Sequence, residues 1–252
     1  MKKLLTALAA LAATAFAAPA VAEPISLSAD DVGSSFQIDY DGFSGDSSNT
    51  ISDLTATLIL TLDSISGDTY NFSYQMLNTT GGDLSSNISS FAFNVDPDIA
   101  GASVDGAYSY TFVTDGRAND PSYPNQVGAV DVCFKAANSG SCSNGGGVAE
   151  GDSGSGTLSL FFDPTAPGEI TLDNFFVRYQ GITGAGGVGS ATGGQTSTSG
   201  LTPPGGTTTT TTSTSGTPVP APGMLALLAL ALASLGFFRR RREVAQPQPA
   251  FA

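Results

Sequence analysis

The sequence contains no histidine and no tryptophan, only two cysteines, and nine basic residues against twenty-two acidic ones. Without histidine there is no Ser-His-Asp or Cys-His nucleophile system and no histidine-bound zinc. The bases are also unevenly placed. Lys2, Lys3 and Arg239 to Arg242 lie in the terminal segments, which leaves Arg117, Lys135 and Arg178 for residues 23–218. Set against every acid but Glu243, these three give that stretch a formal balance of −18. Such a surface repels phosphate backbones, which excludes nucleic acid as a partner. It keeps an extracellular protein solvated and attracts divalent cations.

The 252 residues divide by composition. Lys2 and Lys3 precede the apolar run Leu4–Ala18, and Ala20-Val21-Ala22 supplies a small-x-small cleavage site. Residues 1–22 therefore read as a signal peptide cut between Ala22 and Glu23, with an uncleaved anchor as the alternative. Residues 184–217 are almost entirely Gly, Ser, Thr, Ala and Pro, with Thr207–Thr212 unbroken. That composition predicts a flexible linker, either a plain spacer or an O-glycosylated stalk. Residues 23–183 remain as one domain, a common size for a single core.

At the far end, Val219-Pro220-Ala221-Pro222 leads into the apolar run Gly223–Phe238, and Arg239, Arg240, Arg241 and Arg242 follow at once. The run is slightly short of the roughly 20 residues of a bilayer span. The arginines act as a stop-transfer signal and leave residues 23–218 outside the cytoplasm. Hydropathy alone describes a single-pass anchor with 243–252 as a cytoplasmic tail. The order of Pro-rich motif, apolar helix and Arg cluster resembles the PEP-CTERM sorting signal of Gram-negative bacteria, whose usual core is Val-Pro-Glu-Pro. The resemblance implies recognition by an exosortase in the inner membrane, which cuts near the prolines and makes the membrane association of 218–242 transient.

Between the ends, period-two patterns predict strands. Leu54, Ala56, Leu58, Leu60 and Leu62 share one face, as do Phe72, Tyr74 and Met76, then Phe91, Phe93 and Val95, then Tyr108, Tyr110 and Phe112. Turn formers such as Ser66-Gly67-Asp68 and Gly81-Gly82-Asp83 separate them. No segment carries a capped helical period. The expected fold is all-β: an antiparallel β-sandwich of jelly-roll type with eight to ten strands, followed by the stalk and the transmembrane sorting helix.

Cys133 and Cys142 in an exported chain predict one disulfide. The alternative, a metal or reactive site, lacks the histidine that would complete it. The segments Asp131-Val132-Cys133-Phe134-Lys135, Ser141-Cys142-Ser143-Asn144-Gly145-Gly146-Gly147 and Ile170–Gln180, which closes on Val177-Arg178-Tyr179-Gln180, are similar to the "cistern" group of PEP-CTERM proteins. That group is defined by architecture, and no catalytic activity comes with the resemblance. Arg178 reads as the partner of a carboxylate, Asp173 or a more distant Asp, or as stacked on an aromatic ring, with a ligand contact as the alternative.

Neither Gly45-Asp46-Ser47-Ser48-Asn49 nor Asp96-Pro97-Asp98 fits an EF-hand, although each offers oxygen ligands for calcium. Glycosidase chemistry needs two carboxylates, and Glu150 and Glu169 both occupy turn-like positions. No catalytic, cofactor or metal residue is assigned. The leading expectation is a non-enzymatic surface or extracellular-matrix protein, membrane-anchored as a precursor. The alternatives are an adhesin that binds exopolysaccharide or calcium, and a secreted glycan hydrolase.

Overall fold

The computed structural model describes residues 23–114, 123–139, 142 and 145–201. The signal at Ala20 and Ala22, the tract from residue 202 onward, the sorting motif Val219–Pro222, and Arg239 to Arg242 all lie outside the described residues. Among the described residues no helix is long and apolar enough to cross a membrane.

Among the described residues, twelve strands form one antiparallel sheet. They are β1 (Ile25–Ser28), β2 (Ser35–Phe43), β3 (Thr50–Ser66), β4 (Thr69–Asn78), β5 (Ser85–Asp96), β6 (Gly101–Gly106), β7 (Tyr110–Val113), β8 (Val132–Lys135), β9 (Val148–Ala149), β10 (Ser153–Phe161), β11 (Glu169–Thr183) and β12 (Ser190–Leu201). The main path runs β6-β10-β4-β3-β2-β12-β11-β5-β8-β7, with β1 beside β11 and β9 beside β5. The two ends of this path meet, because the Thr111 hydroxyl on β7 donates to the Ala102 carbonyl on β6 at 3.2 Å. The sheet is therefore nearly closed on itself.

The all-β, antiparallel expectation holds. Two finer expectations need correction, and both trace to β12. Residues 190–201 are not linker: they pair with β2 on one side and β11 on the other. The folded domain thus runs past Thr183 to Leu201. With β12 in place, the group β6-β10-β4-β3-β2 joins the group β11-β5-β8-β7 without a break. The two separate sheets expected of a sandwich become one continuous ladder.

The interior is built by alternation. Leu54, Ala56, Leu58, Leu60 and Leu62 all point inward and are buried, as are Phe72, Tyr74 and Met76, and Phe91, Phe93 and Val95. Each fully buried Leu or Phe stabilises the fold by roughly 1.5–3 kcal/mol. Aromatic rings pack at the centre, with Phe91 4.9 Å from Phe134 and 5.1 Å from Tyr108 between ring centres. Buried phenols need partners. The Tyr108 hydroxyl donates to the Ile88 carbonyl at 3.0 Å, and the Tyr74 oxygen accepts from the Tyr108 amide at 3.0 Å. The predicted face of Tyr108, Tyr110 and Phe112 does not form as one: Tyr108 is buried, whereas β7 starts at Tyr110, which is 41 % exposed.

Two irregularities in β11 reset its alternation. Ile170 and Leu172 point inward, then Phe175, Val177 and Tyr179, then Ile182. The odd spacings coincide with register shifts against β5 between Asp173 and Phe176 and between Gln180 and Thr183. Asn174 (φ 51°) and Gly181 (φ 62°) take up the extra residue at each bulge. The first bulge sends Phe175 into the core and Phe176 to the outer face, where the candidate site lies.

Candidate functional site

A small second layer covers the outer face of β5, β8, β11 and β12. Ala92, Tyr123, Val130, Cys133 and Cys142 are buried there as a cluster separate from the main core, with Phe112, Val127 and Phe176 packed against it. The Tyr123 ring lies 5.8 Å from that of Phe176. The turn after Tyr123 is closed by the Tyr123 amide, which donates to the Gly128 carbonyl at 2.6 Å. It reverses direction through two consecutive left-handed residues, Asn125 (φ 59°) and Gln126 (φ 63°). Its seat on the sheet is Thr192 of β12, whose hydroxyl accepts from Asn125 Nδ2 at 2.9 Å and lies 3.3 Å from the Pro124 carbonyl.

Beside this turn is an open cleft of about 530 Å³. Four segments distant in sequence build it: the end of β2 with the following turn, the 125–127 turn, the β11 bulge and the middle of β12. Phe43 and Phe176 supply its apolar surface, and Asp46, Asn125, Asn174 and Gln195 its polar groups. Phe43 has room because its neighbour is Gly194, where a β-carbon would stand 3.3 Å from the Phe43 ring. Asn125 Oδ1 accepts from the Gly45 amide at 3.3 Å and ties the two turns together. Gln195 Oε1 accepts from the Phe175 amide at 3.5 Å and props the bulge.

Asp46 is the one carboxylate among the described residues that line the cleft. Its Oδ1 accepts from the Ser48 amide at 2.9 Å and from the Ser48 hydroxyl, and these bonds hold its carboxyl below the usual range. It is fully exposed and stays ionised at neutral pH, so it does not serve as a proton donor. Of the two acidic turns read as calcium ligands, 45–49 thus reaches the cleft. Asp96-Pro97-Asp98 does not line it. No group of three His, Cys, Asp or Glu suited to a metal occurs among the described residues.

Cys133 and Cys142 lie together under the second layer, both buried and both as thiols. The chain at Cys142 is held by the Ser90 hydroxyl, which donates to the Cys142 carbonyl at 2.7 Å. Burial, and then the neighbouring Cys142, push the Cys133 thiol well above its ordinary value. Arg178 is half-buried on the same face, and desolvation lowers its pKa. It does not pair with Asp173. Its Nη2 donates to the Ser190 hydroxyl at 3.1 Å, and its buried Nη1 has no hydrogen-bond partner among the described residues.

Glu150 lies in the turn before β10 and Glu169 opens β11, both exposed and neither on the cleft. Glu23 is exposed, and its carbonyl accepts from Thr198 of β12 at 3.3 Å. The cleft's amides escaped sequence reasoning because Asn and Gln in turns are ordinary turn formers. The available signal was Pro124-Asn125-Gln126, where a non-glycine reversal follows a proline. Apart from Asp46, the polar groups gathered in the cleft are neutral hydrogen-bonding groups beside aromatic rings, an arrangement suited to recognition.

No protein family, no curated protein and no solved structure matches this chain.

Proposed function

We propose that the chain is a non-enzymatic exported protein of the cell surface or extracellular matrix, delivered by an exosortase acting on its C-terminal signal. The observation that carries this reading is the order of segments. A secretion signal ending at Ala22 is followed by a β domain, a Thr/Gly tract, Val219-Pro220-Ala221-Pro222, an apolar run and four arginines. A Pro-rich sequence such as Val219-Pro220-Ala221-Pro222 is of the kind a protease groove accepts. The arginines stop translocation and keep the precursor in the inner membrane. Cutting near Pro220 then releases the domain with its tract, now shorter on the folded side because β12 takes residues 190–201.

Cys133 and Cys142 join as a disulfide once the chain is outside the cytoplasm. Their burial side by side in the second layer supports this pairing. A bridge there ties the loop after β8 to the sheet.

A glycan hydrolase acting through Glu150 and Glu169 is disfavoured, because one lies in the turn before β10 and the other at the start of β11, both away from the cleft. Fractionating cells of a Gram-negative host with and without its exosortase tests the proposal. The protein is expected at the surface or in the matrix when the enzyme is present, and in the inner membrane when it is deleted. Identical distribution in both strains contradicts sorting.

A further inference from the structure

We propose that the cleft bordered by Phe43, Asp46, Asn125, Asn174, Phe176 and Gln195 is a binding site for a neutral saccharide. Its volume of about 530 Å³ falls within the range of small-ligand sites.

The chemistry of the lining selects the ligand class. A sugar ring offers adjacent hydroxyls, each both donor and acceptor, and a flat face of C–H groups. Primary amides match the first, since each carries an acceptor oxygen and two donor hydrogens. Aromatic rings match the second. Asn174 and Gln126 are exposed, and their amides make no hydrogen bond to any described residue, so both are free for a ligand. Phe43 and Phe176 stand close by.

The backbone points the same way. Of the four described non-glycine residues with left-handed φ, three (Asn125, Gln126 and Asn174) line this cleft. Asparagine tolerates that conformation, but glutamine pays for it and glycine would not. Keeping glutamine at 126 retains a side chain at a position where the backbone favours having none. Strain of this kind concentrates at functional sites.

Charge decides between saccharides. Asp46 is the only ionisable group among the described residues that line the cleft, its Oδ1 is already engaged by Ser48, and residues 23–218 carry a formal −18. An acidic polysaccharide is repelled. A cation finds one carboxylate, already held by Ser48, among neutral amide oxygens, a low charge count for calcium. The neutral sugar is what remains.

The test uses the full-length protein in a detergent without a sugar headgroup. Side-chain amide resonances are followed while neutral tetrasaccharides of glucose, mannose and galactose are added, with oligogalacturonate and calcium chloride as separate arms. At least one neutral sugar is expected to shift the Asn174, Gln126 and Gln195 amides saturably. The double variant Asn174→Gly/Gln126→Gly removes two amides while glycine keeps both left-handed turns, and should weaken that binding about tenfold or more. No shift at these amides with any neutral sugar overturns the proposal. So does equal binding by the variant with its thermal midpoint preserved, or saturation by oligogalacturonate or calcium alone. Sorting is read from tail length and location, so either proposal can fail without the other.

Discussion

The side-chain amide of Asn125 donates to the hydroxyl of Thr192 at 2.9 Å, across 67 residues of chain. One partner sits in the turn that walls the cleft, and the other on β12, the strand that completes the sheet. The bond couples the site to the element that closes the fold.

Replacing Asn125 separates its two roles. Asn125→Gly loses the bonds to Thr192 and to the Gly45 amide but keeps an easy left-handed turn, and is expected to cost about 1 kcal/mol. Asn125→Ala loses the same bonds and adds backbone strain, for roughly 1 kcal/mol more. Urea denaturation of the two variants checks the order, and an alanine variant as stable as the glycine one contradicts it.

The position of β12 predicts where the domain can end. A chain stopped at Thr183 exposes the unpaired edges of β2 and β11, both of which β12 covers. It is expected to aggregate, whereas a chain stopped at Gly205 gives a cooperative unfolding transition. Solubility and circular dichroism of the two distinguish them.

Asp131 predicts a pH dependence. Burial pushes its carboxyl above the ordinary 3.8, with Asp98, Asp173 and Asp96 adding to the rise and the Val95 amide opposing it. Between the ordinary and the raised value the folded chain holds more protons than the unfolded one. Stability from this group is therefore lost as pH rises through that window. Asp131→Asn keeps an oxygen for the Val95 amide and removes the titration. The variant's urea midpoint relative to the parent should improve as pH goes from about 4 to about 7, and a constant difference would contradict the assignment.

For Cys133 and Cys142, the exported protein should yield a peptide carrying both residues as a disulfide, resolved by mass spectrometry with and without reductant. Reduction should lower stability by about 2–3 kcal/mol for so short a loop. Alkylation of both thiols in the unfolded, unreduced protein is the contrary result.

Much of the fold was legible because burial in β3 and β4 follows the alternation of large apolar side chains, whereas β5 is buried on both faces from Ile88 to Phe93. β12 was hidden for a physical reason. Its inward positions are Ala191 and Gly193, since Val177 and Tyr179 of β11 lean across them. A β-carbon on Gly193 would stand 2.5 Å from Val177 Cγ2 and 2.9 Å from the Tyr179 ring. A strand whose neighbours fill its share of the core needs no apolar residues of its own, and so it reads as linker. The cleft was hidden differently. Its residues come from four separated segments, and only the register of β2, β12 and β11 brings Phe43, Gln195 and Asn174 to one place.

The central claim is an exported domain released by a cut in its tail, and intact mass measures it directly. Protein recovered from the surface or medium of an exosortase-bearing host should begin at Glu23 and end before the apolar run that starts at Gly223. A mass extending through Arg242 to Ala252, the same with and without the exosortase, would contradict it.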